Sequence, residues 1–317
     1  MTTAPSTTKD LEGLAAQLAD DGYVVIENVI PDDELAELKA TTDELFATNL
    51  ESPYDPGDGP SHPQDAELEA YITDMYPTVE QGEIDRVMRI NRYHRHHNAD
   101  TPWPVPPDDV PKNFVYLPDI FEGGTLQFVG NLPAKSPIYG PLIEHPTVLA
   151  LTRSILGEDC VLSDTSATSL GPGTKGGAWH VDAPLGQFPE PLPEFPITTQ
   201  NAWMLDDFTA ENGATRIVPR SHKLRKKPPW GMGELEGEIS LTAPAGSVAI
   251  WLSNTWHRAS PNSTEKPRPA ILCYYTRSWC KPYANYPAGM SDEQAKGFSE
   301  TARYLLGYSA GPVVRGS

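Results

Sequence analysis

The sequence predicts a mainly β fold with helices packed around it. Three observations carry that expectation. From Cys160 onward, short β-branched and aromatic runs alternate with Gly and Pro turn signals, the texture of a sandwich or barrel. The two ends of the chain instead place apolar residues at helical spacing. The 33 prolines and 25 glycines are interleaved with apolar and aromatic residues, so they suit long ordered loops and not disorder.

Taken in order, residues 10–22 set Leu11, Leu14, Ala15 and Leu18 on one helical face, and YVVIENV (23–29) follows as a strand. PDDELAELKATTDELFA opens with Pro31 and two acids, which suit a helix N-terminus. Residues 50–85 read as a long loop with one short helix near 66–76, residues 87–94 as a strand, and residues 98–124 as loop. The segment 141–157 reads as one helix stopped by Gly157. VLSDTSATSL, GAWHVD, TTQNAWMLDDF, TRIVP, GSVAIWLS and RPAILCYYTRS are the expected strands of the β region, 158–285. Residues 291–307 return to helix, capped by Ser291 and stopped by Gly307. No internal repeat interrupts this plan. The expectation is one domain over 1–317, with 1–9 a flexible tail and 10–157 a mostly helical and looped part.

Composition excludes several classes. A net charge of −19 makes a surface that repels phosphate backbones, so a nucleic-acid partner is not expected. No run of about eighteen apolar residues exists, so no membrane span is expected. The N-terminus lacks the charged-then-apolar pattern of a secretory signal. Three cysteines (Cys160, Cys273, Cys280) fit neither a zinc nor a disulfide framework, which points to a reducing, cytoplasmic setting.

The chemistry centres on WHVDAPLG. His180 and Asp182 are two residues apart, and on a strand that spacing puts both on one face. Alone, such a pair is common by chance and reads first as two polar strand residues. His257 follows the run GSVAIWLS, one β-motif later. Together the three have the layout of a 2-His-1-carboxylate triad, which holds one face of an iron ion and leaves the other positions open. Arg268, eleven residues further on, carries a fork suited to a carboxylate.

AWHVD, NAWMLDDFTAENGATRIVPRSHK and PAGSVAIWLSNTWHRASPNSTEKPR, in that order, resemble the phytanoyl-CoA dioxygenase-like family of Fe(II)/2-oxoglutarate oxygenases. GYVVIENVIPDDELAELK resembles its opening, and the likeness covers roughly residues 10–308. It implies a double-stranded β-helix, a cupin-like jelly roll with helices outside. It implies that His180, Asp182 and His257 bind Fe(II) and that Arg268 pairs with the 5-carboxylate of 2-oxoglutarate. By position it further implies Trp203, Thr165 and Gln127 beside the co-substrate. The reaction implied consumes O₂ and 2-oxoglutarate, releases succinate and CO₂, and oxidises a C–H bond of a small molecule, with ascorbate as an activator in vitro. Hydroxylation is the expected outcome; desaturation, epoxidation and rearrangement use the same site. The expected substrate is a natural-product intermediate, with acyl-CoA hydroxylation or a non-catalytic binding protein as alternatives. Related halogenases replace the carboxylate ligand, so Asp182 argues against halogen transfer. Arg220 stands where the family carries glycine, and Ala259 where a small hydroxyl residue is common.

The remaining features read blandly. His94, His96 and His97 form a solvated or pocket-lining loop, with arginines between them that repel a cation. His222 reads as structural and His145 as a helix-surface residue. The basic run RSHKLRKK (220–227) reads as a solvated loop, the sharper alternative being a contact for an anionic substrate group. Trp230 and Trp279 read as core aromatics, or as pocket lining. Oligomeric state is not legible.

Overall fold

The computed structural model describes residues 8–48, 60–63, 65–75, 80–82, 84–85, 88–89, 92, 126–182, 184–229 and 233–308. Among the described residues, nine strands form two antiparallel sheets. The major sheet has the order β1-β7-β4-β9-β3-β2, built from Tyr23–Ile26 (β1), Leu126–Gly130 (β2), Val161–Leu170 (β3), Thr198–Met204 (β4), Val248–Leu252 (β7) and Arg268–Thr276 (β9). The minor sheet has the order β6-β5-β8, from Ile239–Ser240, Arg216–Ile217 and His257–Arg258. The minor sheet faces the major one, giving the double-stranded β-helix.

Strand alternation divides the core in two. On the outer face of the major sheet, Trp203, Val248, Ile250, Ile271, Cys273 and Tyr275 pack against helices α1 (Thr8–Asp21) and α2 (Asp32–Thr48), the helix Pro146–Leu156 and the C-terminal turns. On the inner face, Ala202, Met204, Ala249, Trp251 and Ala270 meet Phe208, Ile217, Leu241 and Ala243 between the sheets. Each fully buried Leu, Ile or Val stabilises by roughly 1.5–3 kcal/mol. The inner cluster uses several alanines where the outer one uses larger side chains.

Two glycines hold this arrangement. Gly22 ends α1 with φ +84°, and a Cβ there would lie 2.5 Å from Thr255 Oγ1 and 2.6 Å from His222 Nδ1. Gly176 has φ +80°, and a Cβ there would lie 2.6 Å from Ala259 O. The first seats α1 on the end of β7; the second lets the segment leading to His180 run against the one leaving His257.

Several expectations change. The strand expected at 87–94 is not extended where it is described: Met88, Arg89 and Arg92 are helical, and Arg92 pairs with Asp65 at 2.8 Å. The short helix near 66–76 is present as α3, Asp65–Met75. The single helix of 141–157 is two, Gly140–Ile143 and Pro146–Leu156, because Pro146 disfavours helical geometry at His145 (φ −51°, ψ 123°). The single helix of 291–307 is also two. Ser291 closes a capping box with Gln294, and Ser299 caps a second helix, Glu300–Leu305. The N-terminal part supplies both edge strands of the major sheet, β1 and β2, so the β core is not confined to 158–285. GAWHVD contributes only an isolated bridge at His180.

Candidate metal centre

The centre is assembled by the bridge between His180 and His257. The His180 N–H donates to His257 O at 3.0 Å, and the His257 N–H donates to His180 O at 3.1 Å. Two residues on, the Asp182 N–H donates to Ser253 O at 2.9 Å. The backbone therefore fixes all three candidate ligands to the end of β7 and to β8, with no need for a regular strand at 179–182.

Both histidines are held the same way. The His257 Nδ1–H donates to Thr255 O at 2.8 Å, and the His180 Nδ1–H donates to Ala178 O at 2.9 Å. A carbonyl accepts only from a protonated nitrogen, so each ring carries its proton on Nδ1 and presents the Nε2 lone pair. Those Nε2 atoms lie 3.3 Å (His257) and 3.9 Å (His180) from Asp182 Oδ1. The three side chains offer ligand atoms all within 4.8 Å of one another. Asp182 Oδ2 is buried with no hydrogen-bond partner among the described residues. An orphaned buried carboxylate oxygen costs about 1–3 kcal/mol or more, which coordination to a cation would offset. Donor set, tautomers and orphaned oxygen all fit a divalent metal with nitrogen and oxygen ligands.

Desolvation and then the neighbouring His257 lower the His180 pKa to about 4, although one side of its ring is 48 % exposed at the mouth. His180 is thus neutral and ligand-ready at neutral pH. Burial disfavours charge on His257 and on Asp182, but their mutual attraction outweighs it, raising the first and lowering the second. Trp251 walls the centre, its ring 5.3 Å from that of His257.

Arg268 is buried on the inner face at the start of β9. Its guanidinium lies 4.2 Å over the Phe208 ring, and Nη2 donates to Gly213 O at 2.6 Å. The inner face of β9 then runs Arg268, Ala270, Leu272, Tyr274, about 20 Å at 3.4 Å per residue. Tyr274 marks the opposite end, where Asp182 raises its pKa second only to burial. The candidate metal ligands lie toward that end and the arginine lies deep at the other.

Three sequence-derived positions go elsewhere. Trp203 is fully buried in the outer cluster, edge-on to His145 at 5.3 Å. Thr165 pairs in register with Cys273 on the same outer face, its hydroxyl donating to Leu272 O at 2.9 Å. Gln127 shares the phase of Val129, which belongs to the outer cluster. All three miss the inner face by one residue, and in a strand one residue is the other side of the sheet. The positions that do face inward are Ala202 and Met204 on β4, Asp164, Ser166 and Thr168 on β3, and Phe128 on β2.

Sequence reasoning missed the mouth. Tyr274 Oη donates to Thr198 Oγ1 at 2.8 Å, and its ring stacks on that of Tyr283 with centroids 5.8 Å apart. Asp164 stands opposite Tyr274 in register, just after a β-bulge. The one available signal is the single charged residue in the run VLSDTSATSL.

The first half of the basic run is engaged within the chain. Arg220 pairs with Asp20 at 2.7 Å and Asp21 at 2.9 Å, Lys223 pairs with Asp20, and the His222 Nε2–H donates to Ala19 O at 3.2 Å. These contacts clasp the run to the end of α1. Arg220 has φ +65°, a left-handed conformation that favours glycine. His145 is no surface residue; it is half-buried at the start of the helix Pro146–Leu156, and burial lowers its pKa. Trp279 is 63 % exposed and so is not core. His94, His96, His97 and Trp230 lie outside the described residues.

Comparison with known proteins agrees with this geometry. A family model described as phytanoyl-CoA dioxygenase (PhyH) matches residues 18–270. The "Dioxygenase af480" of Aspergillus fumigatus is 30% identical over 188 residues, 58% of this chain and 60% of that protein. The chain thus spans about three fifths of the length of such relatives. Among solved structures, the epimerase SnoN in complex with Fe3+, alpha ketoglutarate and nogalamycin RO aligns over 88% of both chains at 19% identity and a TM-score of 0.54. EctD from S. alaskensis, with 2-oxoglutarate and 5-hydroxyectoine, aligns over 90% of this chain and 82% of that one at 18% identity and a TM-score of 0.54. The described helices include none long and apolar enough to cross a membrane.

Proposed function

Because the chain belongs to the phytanoyl-CoA dioxygenase family, we propose that it is an Fe(II)/2-oxoglutarate-dependent oxygenase that hydroxylates a C–H bond of a small natural-product intermediate. The observation that carries this reading is the pair of identically tethered imidazoles aimed at Asp182, with its orphaned Oδ2. His180, Asp182 and His257 would hold the iron. When bound, iron and 2-oxoglutarate supply oxidising power from O₂, with release of succinate and CO₂.

The chain's own contribution is binding, orientation and exclusion of water. Arg268 presents a planar fork in a buried setting, suited to the distal carboxylate of 2-oxoglutarate. Gly213 O and the Phe208 ring hold that fork in place. Ala202, Met204, Trp251 and Ala270 supply an apolar inner face beside the arginine and the triad. The Nδ1–carbonyl bonds prevent either imidazole from rotating away. Asp182 occupies the position a halide would need, which favours oxygen insertion over halogen transfer. A family relative of A. fumigatus that is a dioxygenase, and SnoN with its nogalamycin ligand, support a secondary-metabolite substrate.

Succinate release from 2-oxoglutarate, with Fe(II) and ascorbate under air, tests the reading. The wild-type chain is expected to release succinate above the level of Asp182→Ala. Equal release by both proteins would refute it and leave a non-catalytic binding protein.

A further inference from the structure

The mouth of the site carries a carboxylate that the oxygenase reaction does not use. Asp164 lies on the inner face of β3, paired in register with Tyr274 of β9, immediately after the bulge between Leu162 and Asp164. The bulge matters because its extra residue, Ser163, binds the segment that carries Tyr283. The Ser163 hydroxyl accepts from Tyr283 N at 3.1 Å, and Ser163 O accepts from Ala284 N at 2.8 Å. The Tyr283 ring is thereby laid parallel to that of Tyr274, 17° between planes. Burial, then the charges of Asp182 and Asp164, raise the Tyr283 pKa, so both acids lie within electrostatic reach of this ring.

Asp164 is poorly compensated where it stands. Its one hydrogen bond among the described residues comes from the Thr165 N–H, and no described Lys or Arg faces it. Burial raises its pKa to about 6, so at neutral pH the group is mainly ionised and still bears a desolvation cost. Two arginines on nearby elements are engaged elsewhere. Arg277 donates to Pro196 O, Leu156 O and Ile155 O at 2.7–3.0 Å. Arg153 lies near Glu158 at 3.8 Å. A half-buried carboxylate beside two stacked aromatic rings is the environment that favours an ammonium group, through a charge-assisted hydrogen bond and ring-face attraction together.

We propose that Asp164, Tyr274 and Tyr283 form a recognition subsite for a basic nitrogen, so that the substrate is an amine bound as its ammonium ion. This rests on the oxygenase reading for the identity of the neighbouring site. It makes Asp164 a specificity-determining residue: it would place the substrate by its nitrogen, with the carbon to be oxidised reaching toward the triad.

The test is calorimetric titration of the full chain with benzylammonium and with benzyl alcohol, its neutral isostere, at pH 7.5 under nitrogen with Fe(II) and 2-oxoglutarate. Binding of 2-oxoglutarate is measured first; its absence refutes the oxygenase reading alone, and the probe titrations are then run on the unloaded chain. Benzylammonium is expected to bind roughly ten-fold tighter than the alcohol, and Asp164→Asn is expected to abolish that preference. Tyr283→Leu alters an exposed side chain and leaves the core intact, so it serves if Asp164→Asn fails to fold. It is expected to weaken ammonium binding several-fold and alcohol binding less. Equal binding of the two probes by the wild-type chain would overturn the proposal. So would a preference retained in Asp164→Asn, which would trace it to Asp182 or to the general acidity of the surface, and so would Tyr283→Leu weakening both probes equally.

Discussion

The two faces of the major sheet use the same strands for opposite purposes. On β9, Ile271, Cys273 and Tyr275 point outward into a close-packed layer against the helices. Arg268, Ala270 and Tyr274, one residue out of phase, point inward toward the candidate metal centre. The outer face is filled with large apolar side chains, and Tyr275 Oη there donates to Ile143 O at 2.5 Å. The inner face is thinned by alanines and carries polar groups whose partners would be ligands. The comparison teaches that stability and chemistry are separated by strand phase and not by region of sequence.

Substitutions on each face sharpen that contrast. The largest effect is expected inside: His257→Ala removes one of three candidate ligands and should abolish 2-oxoglutarate-dependent succinate release while shifting the thermal midpoint little. Next, Arg268→Ala should weaken 2-oxoglutarate binding about 30- to 100-fold, the equivalent of a charge-assisted pair worth roughly 2–3 kcal/mol, read by titration. Outside, Trp203→Ala should behave in the opposite way. It should cost about 3–5 kcal/mol in denaturant unfolding and leave the 2-oxoglutarate affinity of the folded protein unchanged. A loss of affinity without loss of stability would put Trp203 on the wrong face. The smallest effect belongs to Arg220→Gly, which relieves a left-handed residue and removes exposed ion pairs to Asp20 and Asp21. These opposing effects should leave the unfolding midpoint unresolved from wild type, and a large drop would show that the clasp to α1 matters to folding.

Much of this was legible in the sequence, and the losses have physical causes. The spacing of His180, Asp182, His257 and Arg268 is legible whatever the detail of the strands between them, and the structure brings the first three together. Thr165, Trp203 and Gln127 were placed by position counted along the chain. A position right to within one residue fixes a strand but not its phase, and one residue is the other side of the sheet. Strand β2 was passed over because LQFVG is short and follows a long Pro-rich stretch. The helices broken at Pro146 and at Ser299 were read as continuous because their apolar spacing continues across the break. Asp164, Tyr274 and Tyr283 are remote in sequence, and only the pairing of β3 with β9 shows that they meet.

The central claim is that the inward-facing triad is an iron site. Equilibrium dialysis against Fe(II) under nitrogen, with 2-oxoglutarate present, tests it most directly. The account predicts one tightly held iron per chain for the wild-type protein and none for His257→Ala or Asp182→Ala. Equal iron uptake by the wild-type and substituted chains, or no uptake by any of them, would contradict it.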